Sequence, residues 1–280
     1  MDQRRTTPIA LTIAGSDSSG GAGIQADLKT FAAFGVYGAS VVTALTAQNT
    51  LGVTAIHDVP AKFIAEQIDS VLDDLDVGAV KTGMLATTGA IGAVAAGLER
   101  HRVRALVVDP VMVATSGDAL LEPDAVAALR ERIVPLAALL TPNRPEAALL
   151  LGEDEVGDNA GLRRQAERLL ALGPGAVLLK GGHGRGATAV DIFFDGRAMA
   201  TFSAPRIATP HTHGTGCTLS AAITAGLAAG ADLESAIDRA KIFVTAAIRA
   251  GAGGRIGRGR GPLDHIAAGD VLRARKSVGE

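Results

Sequence analysis

Up to Lys180, short apolar, β-rich runs alternate with longer helical stretches, and that rhythm leaves few folds open. Ile9–Ala14, Ala39–Ala47, Gly78–Lys81, Ala105–Asp109, Ala138–Thr141 and Ala176–Lys180 read as buried strands. Helical patterns occupy Ala22–Phe34, Ala61–Asp74, Thr88–Arg100, Pro123–Ile133, Pro145–Leu151 and Leu162–Leu172. A βαβα alternation of this kind predicts an α/β fold, a mostly parallel sheet with helices on both faces. Beyond Lys180 the rhythm changes. Thr188–Phe194 and Ala198–Ser203 flank Asp195-Gly196, a hairpin dipeptide, so antiparallel strands close one edge. Helices follow over Gly214–Ala229 and Asp232–Ala250, the second carrying Leu233, Ile237, Val244 and Ile248 near one apolar stripe. With no long linker or internal repeat, residues 1–280 read as one domain.

Charge and composition narrow the partners. A net charge of −2 lacks the basic footprint of a nucleic-acid binder, and a chain with no Trp and one Tyr has few platforms for base stacking. Arg255, Arg258 and Arg260 form the one basic cluster, which reads as a solvated loop in a Gly-rich tail. Cys217 is the only cysteine, which rules out an internal disulfide and suits a reducing cytoplasm. Arg4 and Arg5 precede an apolar stretch too short for a secretory signal, and no apolar run is long enough to span a membrane.

In an open parallel sheet, ligands bind beyond the carboxyl ends of the strands. Gly15–Gly23, Gln48-Asn49, Lys81–Met84, Asp109–Gly117, Thr141–Glu146 and Lys180–Gly184 all follow strands, so the fold gathers them on one rim. Gly21-Ala-Gly-Ile-Gln-Ala26 fits a dinucleotide turn, but Gln48 and Asn49 stand where the ribose-binding acid belongs, and no Walker A lysine follows Gly20. A plain strand-to-helix turn explains the loop as well.

His211-Thr-His-Gly-Thr-Gly-Cys-Thr218 is more specific. Gly214, Thr215 and Gly216 open a helix, where small residues expose backbone N–H groups to a phosphate in transfer. Cys217 at that terminus is expected to have a depressed thiol pKa, the alternative being a cysteine packed in an ordinary helix start. Asn143 and Glu146 bracket a helix start, where they form either an outer-sphere magnesium site or a capping box. Lys180 ends a strand at the rim, either facing solvent or neutralising nucleotide phosphate. His57, His101 and His265 show no metal or triad spacing and read as structural or exposed.

Taken together, these stretches resemble the ribokinase-like superfamily, and within it the hydroxymethylpyrimidine/phosphomethylpyrimidine kinases. The resemblance rests on Leu11–Thr30, Thr43–Thr50, Lys81–Leu85, Asp109–Met112, Ser116–Asp118, Thr141–Ala147, Lys180–His183 and Thr212–Thr218, in family order. It implies a phosphotransferase of thiamin biosynthesis that uses Mg2+ and ATP to phosphorylate a hydroxymethylpyrimidine and then its monophosphate. It further implies that Gln48 binds the aminopyrimidine edge and that Gly15, Ala22, Asp27, Met84 and Val111 line the substrate pocket. Asn143 and Glu146 are implied to organise Mg–ATP, Lys180 to sit near the nucleotide, and Gly214, Thr215, Gly216 and Cys217 to form the anion hole. A homodimer is expected. Two departures stand out: Cys217 occupies the place of the Asp base of sugar kinases, and Thr115 replaces a lysine found in some relatives. A Cys-type pyridoxal kinase is the nearest alternative, a non-catalytic vitamin-binding regulator is one from another class, and a NAD-dependent oxidoreductase is the third.

Overall fold

The computed structural model describes residues 7–112, 120–122, 124–182 and 186–279. Thr115, Ser116-Gly117-Asp118, Pro123 and His183, all used in reading the sequence, lie outside them. The chain runs β1 (Ile9–Ala14), α1 (Gly23–Ala33), β2 (Tyr37–Val42), β3 (Ala44–Asn49), β4 (Gly52–Asp58), α2 (Ala61–Leu72), β5 (Ala79–Thr82) and α3 (Thr88–Arg100). It continues through β6 (Leu106–Val108), α4 (Ala125–Arg132), β7 (Leu139–Leu140), α5 (Arg144–Leu151), α6 (Asn159–Leu170) and β8 (Val177–Leu179). It ends with β9 (Thr188–Phe194), β10 (Met199–Pro205), α7 (Thr215–Ala228), α8 (Leu233–Gly251) and α9 (His265–Gly279).

Eight strands form one sheet in the order β10-β9-β8-β7-β6-β5-β1-β2. From β8 to β2 all pairings are parallel, while β9 and β10 run antiparallel at the far edge, as the Asp195-Gly196 hairpin predicts. This is the ribokinase-like architecture expected from the sequence. The inner strands are apolar at successive positions because both faces are covered. Leu106 and Val108 face the cluster that α2 to α6 complete, whereas Val107 between them joins the cluster of α7 and α8. The register matters for function: β1 lies between β2 and β5, so the chain changes direction across the sheet beside β1. Such a reversal leaves a crevice at the carboxyl ends of the strands.

One expected strand is two. Ala39–Ala47 does not run straight, because the chain leaves the main sheet at Thr43. There the Thr43 N–H donates to Ala14 O at 3.0 Å and its hydroxyl to Met84 O at 2.7 Å. Beyond Thr43, β3 pairs with β4 in a separate antiparallel ribbon that the sequence pattern did not reveal. The tail also holds a helix, α9, that the sequence pattern did not reveal. Among the described residues no helix is long and apolar enough to cross a membrane.

Candidate active site

A cavity of about 600 Å³ opens beyond the carboxyl ends of the parallel strands. The loop after β1 forms one side. Its centre is Asp17, whose carboxylate accepts the N–H groups of Ser19 at 2.9 Å, Gly21 at 3.0 Å and Ala22 at 2.8 Å. Its Oδ2 also lies 2.7 Å from Nε2 of His213. Burial alone would raise the Asp17 pKa, but the hydrogen bonds from His213, Ser19 and Ala22 outweigh it and bring it to about 2.

The turn before α7 meets this loop. Gly214 sits at φ 83°, in the left-handed region, and a Cβ there would lie 1.9 Å from Gly21 O. Both the backbone angle and the close approach demand glycine. The turn is then held from behind: Thr215 Oγ1 donates to Thr212 O at 2.7 Å, and Thr218 Oγ1 donates to Gly214 O at 2.8 Å. First-turn N–H groups have no acceptor within their helix; in α7 that of Thr215 donates to Thr212 O at 3.2 Å, while Gly216 and Cys217 lie on the cavity wall and leave their N–H groups available as a seat for an anion.

Alternating charges lie beneath that seat. Lys81 Nζ is 2.6 Å from Asp27 Oδ1, with both side chains fully buried. Lys180 Nζ is 2.8 Å from Asp109 Oδ1 and 3.8 Å from Glu146 Oε2, and Ser220 Oγ donates to Asp109 Oδ2 at 3.1 Å. Burial opposes ionisation of Asp109, but Lys180 and Lys81 outweigh it and lower its pKa. The Lys180 ammonium is likewise stabilised, since Asp109 and Glu146 more than offset its own burial. Glu146 differs. There burial dominates over Lys180, and Asp109 repels a further anion, so its pKa rises to about 7.

Several expectations change here. Cys217 lies at the seat, but its thiol is not depressed. Burial pushes it up to about 11, beyond what Lys81 and a hydrogen bond from the Gly23 N–H recover. Asp27 does not line the cavity: it is sealed below it between Lys81 and Thr12, whose hydroxyl donates to Oδ2 at 2.7 Å. Asn143 and Glu146 do form the capping box, with Asn143 N–H donating to Glu146 Oε2 at 2.7 Å and Glu146 N–H to Asn143 Oδ1 at 2.9 Å. They nonetheless lie on the cavity wall, so the cap and a ligand role are not exclusive. Lys180 is not a solvent-facing strand end, being nearly buried and ion-paired.

Gln48, Gly15, Ala22, Met84 and Val111 all reach the wall. Gln48 comes from β3, where Thr46 Oγ1 donates to its Oε1 at 3.1 Å, and Gly15 packs so closely on Met84 that a Cβ would lie 3.1 Å from its sulfur. His265 is buried beside Thr218, its Nε2 2.9 Å from the hydroxyl, a structural role as expected.

Sequence reasoning passed over Asp17, His213 and Asp109 as individual side chains, although each stands inside a stretch it had marked. It also missed the place of Arg260 beside the cavity. The tail is not wholly solvated: Gly259 N–H donates to Thr50 Oγ1 at 3.1 Å and Arg260 N–H to Thr50 O at 2.9 Å. A Cβ at Gly259 would lie 2.0 Å from Thr50 O, so only glycine lets the tail lie this close to the β3–β4 turn. Arg260 consequently joins the cavity wall while staying exposed, as Arg255 and Arg258 are.

The family model described as phosphomethylpyrimidine kinase matches residues 17–264. The chain is 60% identical over 260 residues to the hydroxymethylpyrimidine/phosphomethylpyrimidine kinase of Rhizobium meliloti, covering 93% of this chain and 97% of that one. It is 54% identical over 265 residues to a thiamine biosynthesis bifunctional protein of Geobacter sulfurreducens, covering 95% of this chain and 54% of that one. Among solved structures, a Bacillus subtilis pyridoxal kinase in an ADP complex superposes with a TM-score of 0.86 at 39% identity, covering 96% of this chain and 100% of that one.

Proposed function

Since the chain belongs to the phosphomethylpyrimidine kinase family, we propose that its cavity transfers the γ-phosphoryl group of ATP to a hydroxymethylpyrimidine and then to the resulting monophosphate. The reaction serves thiamin biosynthesis. The observation that carries this reading is the convergence, on one cavity, of Gln48 and Met84 with the glycine-opened start of α7. An amide that both donates and accepts suits an aminopyrimidine edge, and a row of backbone N–H groups suits a phosphoryl group in flight. Gly15, Ala22 and Val111 complete the wall around the base.

Cys217 is a neutral thiol in this reading, which the upward shift of its pKa by desolvation supports. Phosphoryl transfer passes through a loose transition state that asks little of a base, so positioning by the Gly214–Cys217 turn carries the chemistry. Lys180, anchored by Asp109, supplies positive charge near the nucleotide. Magnesium supplies charge neutralisation of the nucleotide phosphates when bound. Glu146 Oε2 is already engaged by Asn143 and approached by Lys180, and a donor set so occupied fits an ion that keeps its waters and is held through them.

The 280 residues act as one kinase domain in this reading, working as a cytoplasmic homodimer, and a single cysteine with no disulfide suits that compartment. Pyridoxal is the rival acceptor, favoured by the likeness to the Bacillus subtilis enzyme. ATP consumption measured in parallel with hydroxymethylpyrimidine, its monophosphate and pyridoxal decides between them. Turnover of pyridoxal alone would sink the pyrimidine reading.

A further inference from the structure

On β5, Lys81 stands in register with Thr12 of β1 and Val107 of β6, so the three side chains share one face of the sheet. Val107 packs there with α7 and α8, and Asp27 reaches the same face from α1. Lys81 thus extends toward the first turn of α7. Of the pair it forms with Asp27 at 2.6 Å, Lys81 is the member on the cavity wall, in company with Gly83, Gly216 and Cys217. A Cβ added at Gly83 would lie 3.6 Å from Lys81 Nζ, so the charge ends at a loop of the site.

Both side chains are fully buried, and the core gains little from that. Removing two charges from water costs about as much as their attraction returns, and apolar side chains of similar volume serve a core equally well or better. The role of the pair therefore lies outside the core. Burial opposes the Lys81 charge, but Asp27, with Asp109 beyond it, outweighs burial and keeps the ammonium. That charge is felt at the seat: it is the largest influence holding down the Cys217 thiol against desolvation. A fixed charge in a poorly solvated site reaches further than in water and needs no reorganisation when negative charge develops nearby.

We infer that Lys81 is an electrostatic residue of phosphoryl transfer, projecting positive potential from below the Gly216–Cys217 seat onto the group in flight, with Asp27 as the positioning residue that holds it. The inference rests on the kinase reading above. Lys81 acts through space, so its effect falls on the rate of transfer and on the Cys217 thiol, not on substrate binding.

The test uses two variants of the full chain that remove both charges together. In the first, Thr12→Val, Asp27→Leu and Lys81→Met make the cluster apolar; Thr12 is included because its hydroxyl donates to Asp27. In the second, Asp27→Asn with Lys81→Gln keeps polar groups in place without charge. Both should lower kcat with ATP and hydroxymethylpyrimidine by at least about tenfold, with either KM within about threefold of wild type. Alkylation of Cys217 at one fixed alkaline pH should also slow by at least about threefold, since less thiolate forms. A loosened fold would instead expose the thiol and speed its alkylation. A folded variant that keeps wild-type kcat, alkylates as fast or faster, or loses only KM overturns the inference. Failure of both variants to fold overturns it as well, because the pair would then be needed by the core. A wild-type chain that turns over no pyrimidine overturns the kinase reading together with this inference, whereas wild-type turnover that both variants retain overturns this inference alone.

Discussion

His213 Nε2 and Asp17 Oδ2, 196 residues apart in the chain, lie 2.7 Å apart and tie the loop after β1 to the turn that opens α7. Both side chains are nearly buried, so the pair is not diluted by solvent. Asp17→Asn keeps the shape but removes the charge that gathers His213, Ser19, Gly21 and Ala22. Losing a charge-assisted network of this kind costs about 2 kcal/mol, readable by urea denaturation, and kcat should fall more than KM rises because the turn loses its register. The contribution has a sign in pH. The Asp17 carboxyl is lowered from 3.8 to about 2 in the fold, so its stabilisation is present above 3.8 and is lost as pH falls toward 2. A variant with unchanged stability and kcat would show that the pair ties nothing together.

The half-buried thiol gives a second prediction. With its pKa near 11, Cys217 is protonated at neutral pH and should alkylate far more slowly than a free thiol, the rate climbing as pH approaches that value. Cys217→Ser should keep turnover within about tenfold of wild type, because the backbone donors of the turn are untouched. A loss of a hundredfold or more would reinstate a thiolate base.

Glu146 should impose a pH dependence on magnesium use. Its carboxyl is raised from 4.5 to about 7, so it ionises across neutrality, and a metal drawn to the carboxylate is favoured as pH rises through that value. The magnesium concentration for half-maximal rate should therefore fall with rising pH in wild type and stay flat in Glu146→Gln. The stability effect has the opposite sense: a raised carboxyl favours the fold below 4.5 and that benefit is lost as pH rises through 7. Identical magnesium profiles in the two proteins would leave Glu146 as a helix cap.

His265 predicts an acid limb of stability. Burial lowers its pKa from 6.5 to about 4, so folding holds it neutral beside Thr218. That stabilisation is present above 6.5 and is lost as pH falls through 4, on the order of 3 kcal/mol across the window. His265→Gln should flatten the slope of unfolding free energy against pH between those values. If the slope persists unchanged, other groups set it.

The sheet was legible because its strands are buried on both faces and so read as apolar runs, Leu106–Val108 being typical. The turn before α7 was legible because glycine and small residues must open that helix. The β3–β4 ribbon was not, since β4 is largely exposed and carries no apolar period. Nothing in local sequence shows that Thr43 will turn the chain out of the sheet, since its partners Ala14 and Met84 are distant. The Cys217 pKa failed for a related reason: the helix dipole can be read from sequence, whereas desolvation depends on what folds over the thiol. Asp27, on α1, was misplaced because its partner, Lys81, comes from β5, far along the chain.

The stitching of residues 259–261 to Thr50 and His213 has a consequence for biosynthesis. A chain emerging from the ribosome can assemble β1 to β8 against α2 to α6, and so bury one apolar face, before the segment that seats on both the ribbon and the α7 turn has been translated. The nascent protein would then hold a folded sheet with an unfinished mouth. Competence for phosphorylation then follows the burial of that first face, and a few glycines of the later segment decide it.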